Sequence, residues 1–361
     1  MSTPAELLTR TPGGAARITS PAPREAWWQL SRQDADAHVS QTPTWLDCLC
    51  GTGPYRDASR LYEFDSGSRI VVPLVRRRSG AAWLDAEESW PADWGIGGPL
   101  SSGAVAPAEA RAVFEDLARL AALRVGVRFR PEGSDVWEGT VPAGFWREPH
   151  MTQRLDLDGG FATVWERRFH RHVRREVRKA ERSKAEVDVD RTGRLVPQFY
   201  SLYEQSIERW AAQQHEPLAL ARWRRRRAFP RNRLEAVAAR FGESCTIWMA
   251  SCDGEPAAAI VVLSHGGHAR LWRAAMNRDL AHPLRVNPLL QKLAIEDACA
   301  AGYRHYDMGE SSPGSSLASF KAGFGAESHS SPRYVRERLP VSAAQRNLRR
   351  FVKTVLRFQD A

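Results

Sequence analysis

The chain has 361 residues and a mass of 40.5 kDa, roughly two domains at about 150 residues each. With 43% hydrophobic and 26% charged residues it has a globular balance, which excludes a disordered chain. Its net charge is +10; no run approaches the ~18 apolar residues of a membrane span, and five cysteines without a CxxC pair indicate neither a disulfide framework nor a zinc site.

Residues 1–23 lack the apolar core of a signal peptide and read as a flexible lead-in, so a cytoplasmic protein without membrane insertion is expected. Ser59–Asp65 and Ser68–Val75 form a hairpin around Gly67. A loop rich in Trp and Gly follows (Trp90, Trp94, Gly95, Gly97, Gly98), then a helix over Ala108–Leu123 and a strand over Gly126–Arg130. The turn-rich stretch 131–150 marks a domain boundary, which gives a first domain over 24–150 and a second over 151–339.

The second domain opens with Phe161, Trp165, Phe169, Val173 and Val177, an apolar residue every fourth position with Ala180 next along. That spacing predicts one helix with a packed stripe and outward arginines. Val196, Phe199, Tyr200, Tyr203, Ile207 and Trp210 predict another. ARWRRRRAFPRNR lacks a stripe and reads as a loop or short helix that orders on a partner. Strands over 245–252, 256–264 and 268–276 are joined by Asp253-Gly254 and Gly266-Gly267 turns. Asn277–Val286 is an irregular loop, Asn287-Pro288 a helix start, and Gly302 that helix's stop. Tyr303–Met308 is a strand, LASFKAGFG a short helix and Tyr334–Leu339 a last strand. Residues 340–361 form a basic helix started by a Ser342/Gln345 capping box, with Leu348, Phe351, Val352 and Val355 as its stripe. Hairpin, loop, helix, strand occurs in both halves, which is consistent with a duplicated domain but also with chance in any α/β chain.

The charge is uneven. Nine Lys and Arg lie between Arg167 and Lys184 against Glu176 and Glu181, and seven Arg without an acid lie between Arg222 and Arg233. Such a zone fits a polyanionic partner (a tRNA, a nucleotide phosphate or a membrane surface) or simply a solvated helix face. No GxxxxGK[ST], GxGxxG or GxSxG motif is present. His170 and His172, two apart on a helix, make a poor metal pair, and no metal is expected. What stands out is Tyr306-Asp307-Met308-Gly309-Glu310 followed by Phe320-Lys321-Ala322-Gly323-Phe324-Gly325. A carboxylate at a strand end beside a Gly can project into a cleft, and a lysine just beyond can neutralise charge growing on an oxygen. Asp307 serves equally as a turn or helix cap, and Lys321 as a surface lysine.

At these residues the chain resembles the Fem-type aminoacyltransferases, a branch of the GNAT N-acyltransferase superfamily. The similar pieces are FHRHVRREVRKAE, FYSLYEQSIERW, the strand meander, NPLLQKLAIEDACAAGY, RHYDMGE and SFKAGFGAE, with fainter likeness in QTPTWLDCL and GGPL. The resemblance implies an α+β fold of tandem GNAT-like domains, with mixed sheets flanked by helices and a cleft between the two. It implies amide-bond formation on an amine acceptor, by aminoacyl transfer from aminoacyl-tRNA as co-substrate, with no tightly bound cofactor. The family's lysine maps onto Lys321, with Phe320 lining it. Asp307 and Glu310 are candidates to orient the amine or relay its proton, and Tyr306 and Trp94 to line the substrate. Arg168, Arg171, Arg175, Arg178, Arg224, Arg225 and Arg226 are the candidate tRNA-phosphate ligands. Acetyl-CoA enzymes carry a Gly-bearing loop before the central helix; here HPLRVNP stands in its place, which disfavours coenzyme A. The competing expectations are an acyl-CoA-dependent GNAT N-acetyltransferase, a non-catalytic nucleic-acid-binding protein and a degenerate structural relative.

Overall fold

A computed structural model of the chain describes residues 7–10, 16–77, 85–91 and 94–340. They divide into two compact units: one runs to Thr152 and takes back His329–Leu339, the other holds Gln153–Ser328.

The first unit runs β1 (Leu7–Arg10), β2 (Ala16–Ser20), α1 (Arg24–Gln33), α2 (Pro43–Thr52), β3 (Tyr55–Asp57), β4 (Arg60–Phe64), β5 (Arg69–Val72), β6 (Val75–Arg77), β7 (Ala86–Glu88), β8 (Leu100–Ser101), α3 (Pro107–Arg119), β9 (Arg124–Arg128), α4 (Ser134–Glu138) and β10 (Trp146–Glu148). With β18 (Arg333–Glu337) its strands form two sheets, β1-β2-β4-β5-β8 and β10-β18-β9-β7-β6-β3. The expected hairpin around Gly67 is β4–β5, and Gly67 sits at φ +84° as the turn requires. α3 buries Ala110, Val113, Phe114 and Leu117, the i, i+3, i+4, i+7 set of an amphipathic helix. Phe114 centres an aromatic cluster, 5.5–6.1 Å from the rings of Phe129, Trp137, Phe145 and Tyr334.

The first unit brings two corrections. The lead-in expected over 1–23 contains β2, whose Ala16 and Ile18 are buried and which pairs with β4. The last strand, β18 (Arg333–Glu337), belongs to this unit and not to the second domain. It inserts between β9 and β10, where Tyr334 completes the Phe114 cluster and Arg333 bridges Glu88 (2.6 Å) and Glu148 (3.3 Å). Local sequence cannot reveal this return, because a strand's own pattern does not say which sheet receives it. The expected basic helix over 340–361 lies, apart from Pro340, outside the described residues.

The second unit runs β11 (Met151–Asp156), α5 (Gly160–Thr163), α6 (Arg171–Glu181), β12 (Ala185–Asp190), α7 (Val196–Gln214), α8 (Leu218–Ala228), α9 (Arg231–Phe241), β13 (Cys245–Cys252), β14 (Glu255–His265), β15 (His268–Met276), α10 (Arg278–Leu284), α11 (Val286–Ala300), β16 (His305–Glu310), α12 (Ser316–Ala322) and β17 (Glu327–Ser330). Its sheet has the order β12-β13-β14-β15-β16-β11-β17, antiparallel through the meander and parallel between β15 and β16. The meander falls where the alternation and turn residues put it, with Asp253 and Gly254 both at positive φ. The stripe from Phe161 to Ala180 faces the core, with Phe161 and Trp165 only partly buried, but it is carried by two helical pieces. A π-helical turn over Val164–Arg168 and an extended Phe169 separate α5 from α6. ARWRRRRA is helical within α8, the short helix of the two expected alternatives and not the loop, and 277–286 is mostly helix, α10, capped by the Asn277 side chain. Pro288 lies in the first turn of α11 as expected, but Asn287 is also inside that turn and not the cap, which is Arg285 in the left-handed region.

Candidate functional site at the end of β16

β15 and β16 are paired over three residues only, His268↔His305, Ala269↔Tyr306 and Arg270↔Asp307. Beyond that point β15 continues to Met276 and β16 to Glu310. The last paired position is therefore a fork, and it carries a buried ion pair: Arg270 Nη1 lies 2.7 Å from Asp307 Oδ2, the two residues being 7% and 1% exposed. The other carboxylate oxygen, Oδ1, accepts the Gly309 N–H at 2.6 Å. Gly309 sits at φ +77°, where a side chain is disfavoured.

In a regular strand successive carbonyls point to opposite sides. Here they do not. The carbonyls of Gly309 and Glu310 both accept from Lys321 Nζ, at 3.0 and 2.7 Å. Lys321 comes from α12, whose first turn is capped by the Ser315 hydroxyl accepting from Ala318 N–H. Lys321 is 3% exposed. Burial pushes its ammonium down to about 8; Asp307 and Glu310 pull it up and Arg270 pushes it further down. An ammonium has three donors. Two are spent on carbonyls, which leaves one N–H for an incoming oxygen.

Gly323 and Gly325 let α12 and α6 touch. A Cβ on Gly323 would stand 2.8 Å from Val173 Cγ2, and one on Gly325 2.7 Å from the Arg168 carbonyl oxygen. Phe320 is half-buried, 5.2 Å from the Phe324 ring, and lines a small hollow with Met276, Ala281 and Pro288.

Of the residues singled out in the sequence, the structure brings Lys321, Asp307, Glu310 and Phe320 to this one sheet end. Three assignments change. Asp307 is sealed and both its oxygens are engaged, so it does not reach an amine. Tyr306 is fully buried on the face opposite Asp307 and donates to Gln291 Oε1 at 3.2 Å, with burial pushing its phenol well up; it is a core residue and not a substrate contact. Trp94 is buried in the first unit, edge-on to Trp45 at 5.2 Å, and packs there as a core residue. Glu310 is exposed. Arg270 was missed. The sequence signal was an arginine among apolar residues of one strand (HARLW) and an aspartate among those of another (YDM), opposite charges that a buried sheet tolerates only as a pair.

The basic residues separate into two groups. On α6, Arg171, Arg175 and Arg178 are exposed and, with His172, Arg174 and Arg182, line one cationic groove; among the described residues no carboxylate lies within ion-pair distance of them. The two acids of this helix turn to neighbouring cations, Glu176 to Arg285 and Glu181 to Lys292. Arg168 is not part of that groove: it bonds the Asp156 carbonyl and pairs with its carboxylate at 2.8 Å. On α8, Arg224 pairs with Glu216 at 2.7 Å, Arg226 with Glu204 at 2.9 Å, and Arg225 stacks 4.5 Å from the Trp210 ring. Arg168, Arg224 and Arg226 thus hold structural partners, contrary to the expectation that they are free phosphate ligands.

Comparison with known proteins defines the class. The family model for the acetyltransferase (GNAT) domain matches residues 167–321, from the start of the α6 arginines to Lys321. Most of the second unit is thus similar to a GNAT acetyltransferase domain. The chain as a whole has the fold of FemX: a crystal structure of FemX superposes with a TM-score of 0.66 at 12% identity, over 90% of this chain and 98% of that one. L-PGS from Bacillus licheniformis gives 0.53 at 13% identity, over 89% and 95%. The C-terminal domain of a putative lysylphosphatidylglycerol synthetase from Agrobacterium fabrum gives 0.52 at 16%, over 91% and 95%. No curated protein matches by sequence. The expected fold, mixed sheets flanked by helices in the GNAT manner, therefore holds. Among the described residues no helix is long and apolar enough to cross a membrane, and no cluster of three or more His, Cys, Asp or Glu is set to hold a metal.

Proposed function

We propose that the chain transfers an aminoacyl group from aminoacyl-tRNA to an amine acceptor, with Lys321 as the electrostatic catalyst. The observation that carries the reading is the sealed Lys321 ammonium, held by two carbonyls with one N–H to spare. An aminoacyl ester is already activated. A neutral amine nitrogen attacks its carbonyl carbon, the C–N bond forms, and the C–O bond to the ribose breaks. The ribose oxygen leaves with a proton and the amine nitrogen gives one up. The step needs positioning and stabilisation of the oxyanion and of the departing oxygen. The third N–H of Lys321 supplies that stabilisation, worth about 2–4 kcal/mol by analogy with other oxyanion donors.

Two features favour a tRNA donor over a coenzyme A thioester. The α6 groove presents Arg171, Arg174, Arg175, Arg178 and Arg182 to a polyphosphate backbone. The connection from β15 to α11 does not supply a glycine cradle for a pyrophosphate: it is helix α10, then Arg285 at φ +56°, then a first turn containing Pro288, which has no N–H to give. No step is therefore routed through coenzyme A.

The test is a mass-spectrometric assay of charged tRNA and of acyl-CoA, each against a set of amines, with wild type and Lys321→Met. The expected result is an amide product from charged tRNA, abolished by ribonuclease and slowed about a hundredfold or more in Lys321→Met. The rate should fall as pH rises through about 8, because the protonated lysine is the working form. Ribonuclease-insensitive product from acyl-CoA, or full turnover in Lys321→Met, overturns the reading.

A further inference from the structure

We propose that Arg270 and Asp307 form a positioning pair that sets the β16 backbone so that two consecutive carbonyls hold Lys321. The inference rests on the functional reading above for what Lys321 does, but not for how it is held. The chain of contacts is continuous. Arg270 holds Oδ2 of Asp307, which fixes the carboxylate and leaves Oδ1 to take the Gly309 N–H. That bond holds Gly309 at φ +77°, and the break in the pleat turns the Gly309 and Glu310 carbonyls to the same side. Removing any member loosens the last. A regular strand end would present one carbonyl to the ammonium, not two.

The location supports the assignment. The pair occupies the fork where β15 and β16 part, at the last paired position. Desolvating two charges is costly, and a well-packed apolar pair usually serves stability as well or better. A device that needs a carboxylate with one oxygen fixed and one directed at a backbone N–H has no apolar substitute. Asp307 is accordingly a positioning residue and not the base that takes the amine proton.

The test reads Lys321 directly. The chain has five lysines, so lysine-selective 13C labelling gives five side-chain signals, and that of Lys321 is the one absent from Lys321→Met. The charged groups acting on it are Asp307 and Glu310 from β16 and Arg270 from β15; the nearest titratable side chain of α6 at this helix end is His172, which stands against Gly323. Wild-type Lys321 should titrate near pH 8. In Asp307→Asn, which keeps an oxygen for the Gly309 N–H but leaves Arg270 unbalanced, it should titrate about one unit lower. Gly309→Ala removes no charge, and the nearest atom to its new Cβ is the Leu271 carbonyl oxygen at an easy 3.7 Å, so its cost is the backbone strain at φ +77° without a clash. Its backbone relaxes toward the extended pleat, turns a carbonyl away from Nζ, and also lowers the titration. With a donor and acceptor pair in hand, both variants should lose kcat about a hundredfold with KM within about twofold. A Lys321 titration unmoved in both variants, or a loss confined to KM, overturns the positioning role. If wild type transfers nothing from any donor, the functional reading fails, and the titration alone decides this one.

Discussion

Lys321 carries a consequence for stability that its chemistry does not require. Unfolded, its ammonium titrates at its ordinary value of 10.5; folded, at about 8. Between those values the unfolded chain holds a proton that the folded chain has released, so stability rises with pH across that window and is flat on either side. Below pH 8 the cost of burying the charge is fully present. Lys321→Met lacks that cost, and its advantage in urea midpoint over wild type should be largest near pH 7 and shrink toward pH 10; an advantage that stays constant would mean Lys321 keeps its ordinary value, and its charge, inside the fold. Gly325 is another position on which the packing of the site depends. It sits at φ +83°, and a Cβ would meet backbone, the Arg168 carbonyl, which cannot step aside as a flexible side chain can. Gly325→Ala should destabilise by about 2 kcal/mol or more, read as a lowered urea midpoint. Gly314, also at positive φ but with nothing near its Cβ, should lose only the backbone share, about 1 kcal/mol.

Elements were legible in the sequence where one period and one clear stop coincided. The meander, α7 and α11 follow from alternation, a 3.6-residue stripe and the Asp253-Gly254 and Gly302 stops, and all three appear where those signals put them. The failures have particular causes. α6 and α5 share an uninterrupted stripe, and nothing in the apolar spacing shows that Phe169 turns extended between them. α8 lacks a stripe because its partner is polar: α7 and the turn after it present Glu204, Glu208 and Glu216, so the helix is held by charge and by Trp210, not by an apolar face. Those acids lie 8 to 22 residues from their arginines, beyond the i, i+4 reach within which charge pairing is read from sequence. The same distance explains how Arg224 and Arg226 passed for free cations. The candidate site was half legible: FK and the strand-end aspartate mark residues that the structure brings together, but the contacts of Asp307 depend on Arg270, 37 residues away. Replacing Arg224 and Arg226 together by Gln should lower stability by about 1 kcal/mol, since exposed ion pairs contribute little and Glu216 is left buried without its partner. It should leave donor affinity within about twofold.

For the molecule as a whole, a net charge of +10 overstates what a polyanion meets on α8 and understates what it meets on α6. Of the seven arginines between Arg222 and Arg233, four have carboxylates at 2.5–2.9 Å: Arg222, Arg224, Arg226 and Arg231. On α6 the two acids are drawn to cations of other helices, so Arg171, Arg174, Arg175, Arg178 and Arg182 stand together as one unneutralised ridge. Uncompensated charge is what releases counterions on binding, and five such contacts give a slope of log K against log salt of about −3.5 to −4.5. Arg171→Ala, Arg175→Ala and Arg178→Ala combined should reduce that slope by about 2 and weaken binding of charged tRNA at low salt. Because these side chains are exposed and hold no carboxylate, Arg178 alone of the three stacking 6.0 Å from the Trp165 ring, the urea midpoint should move little. A slope that survives the triple variant, or one lost with Arg224 and Arg226 instead, would place the polyphosphate contact off α6 and separate it from the element that packs, through Gly323, against the Lys321 helix.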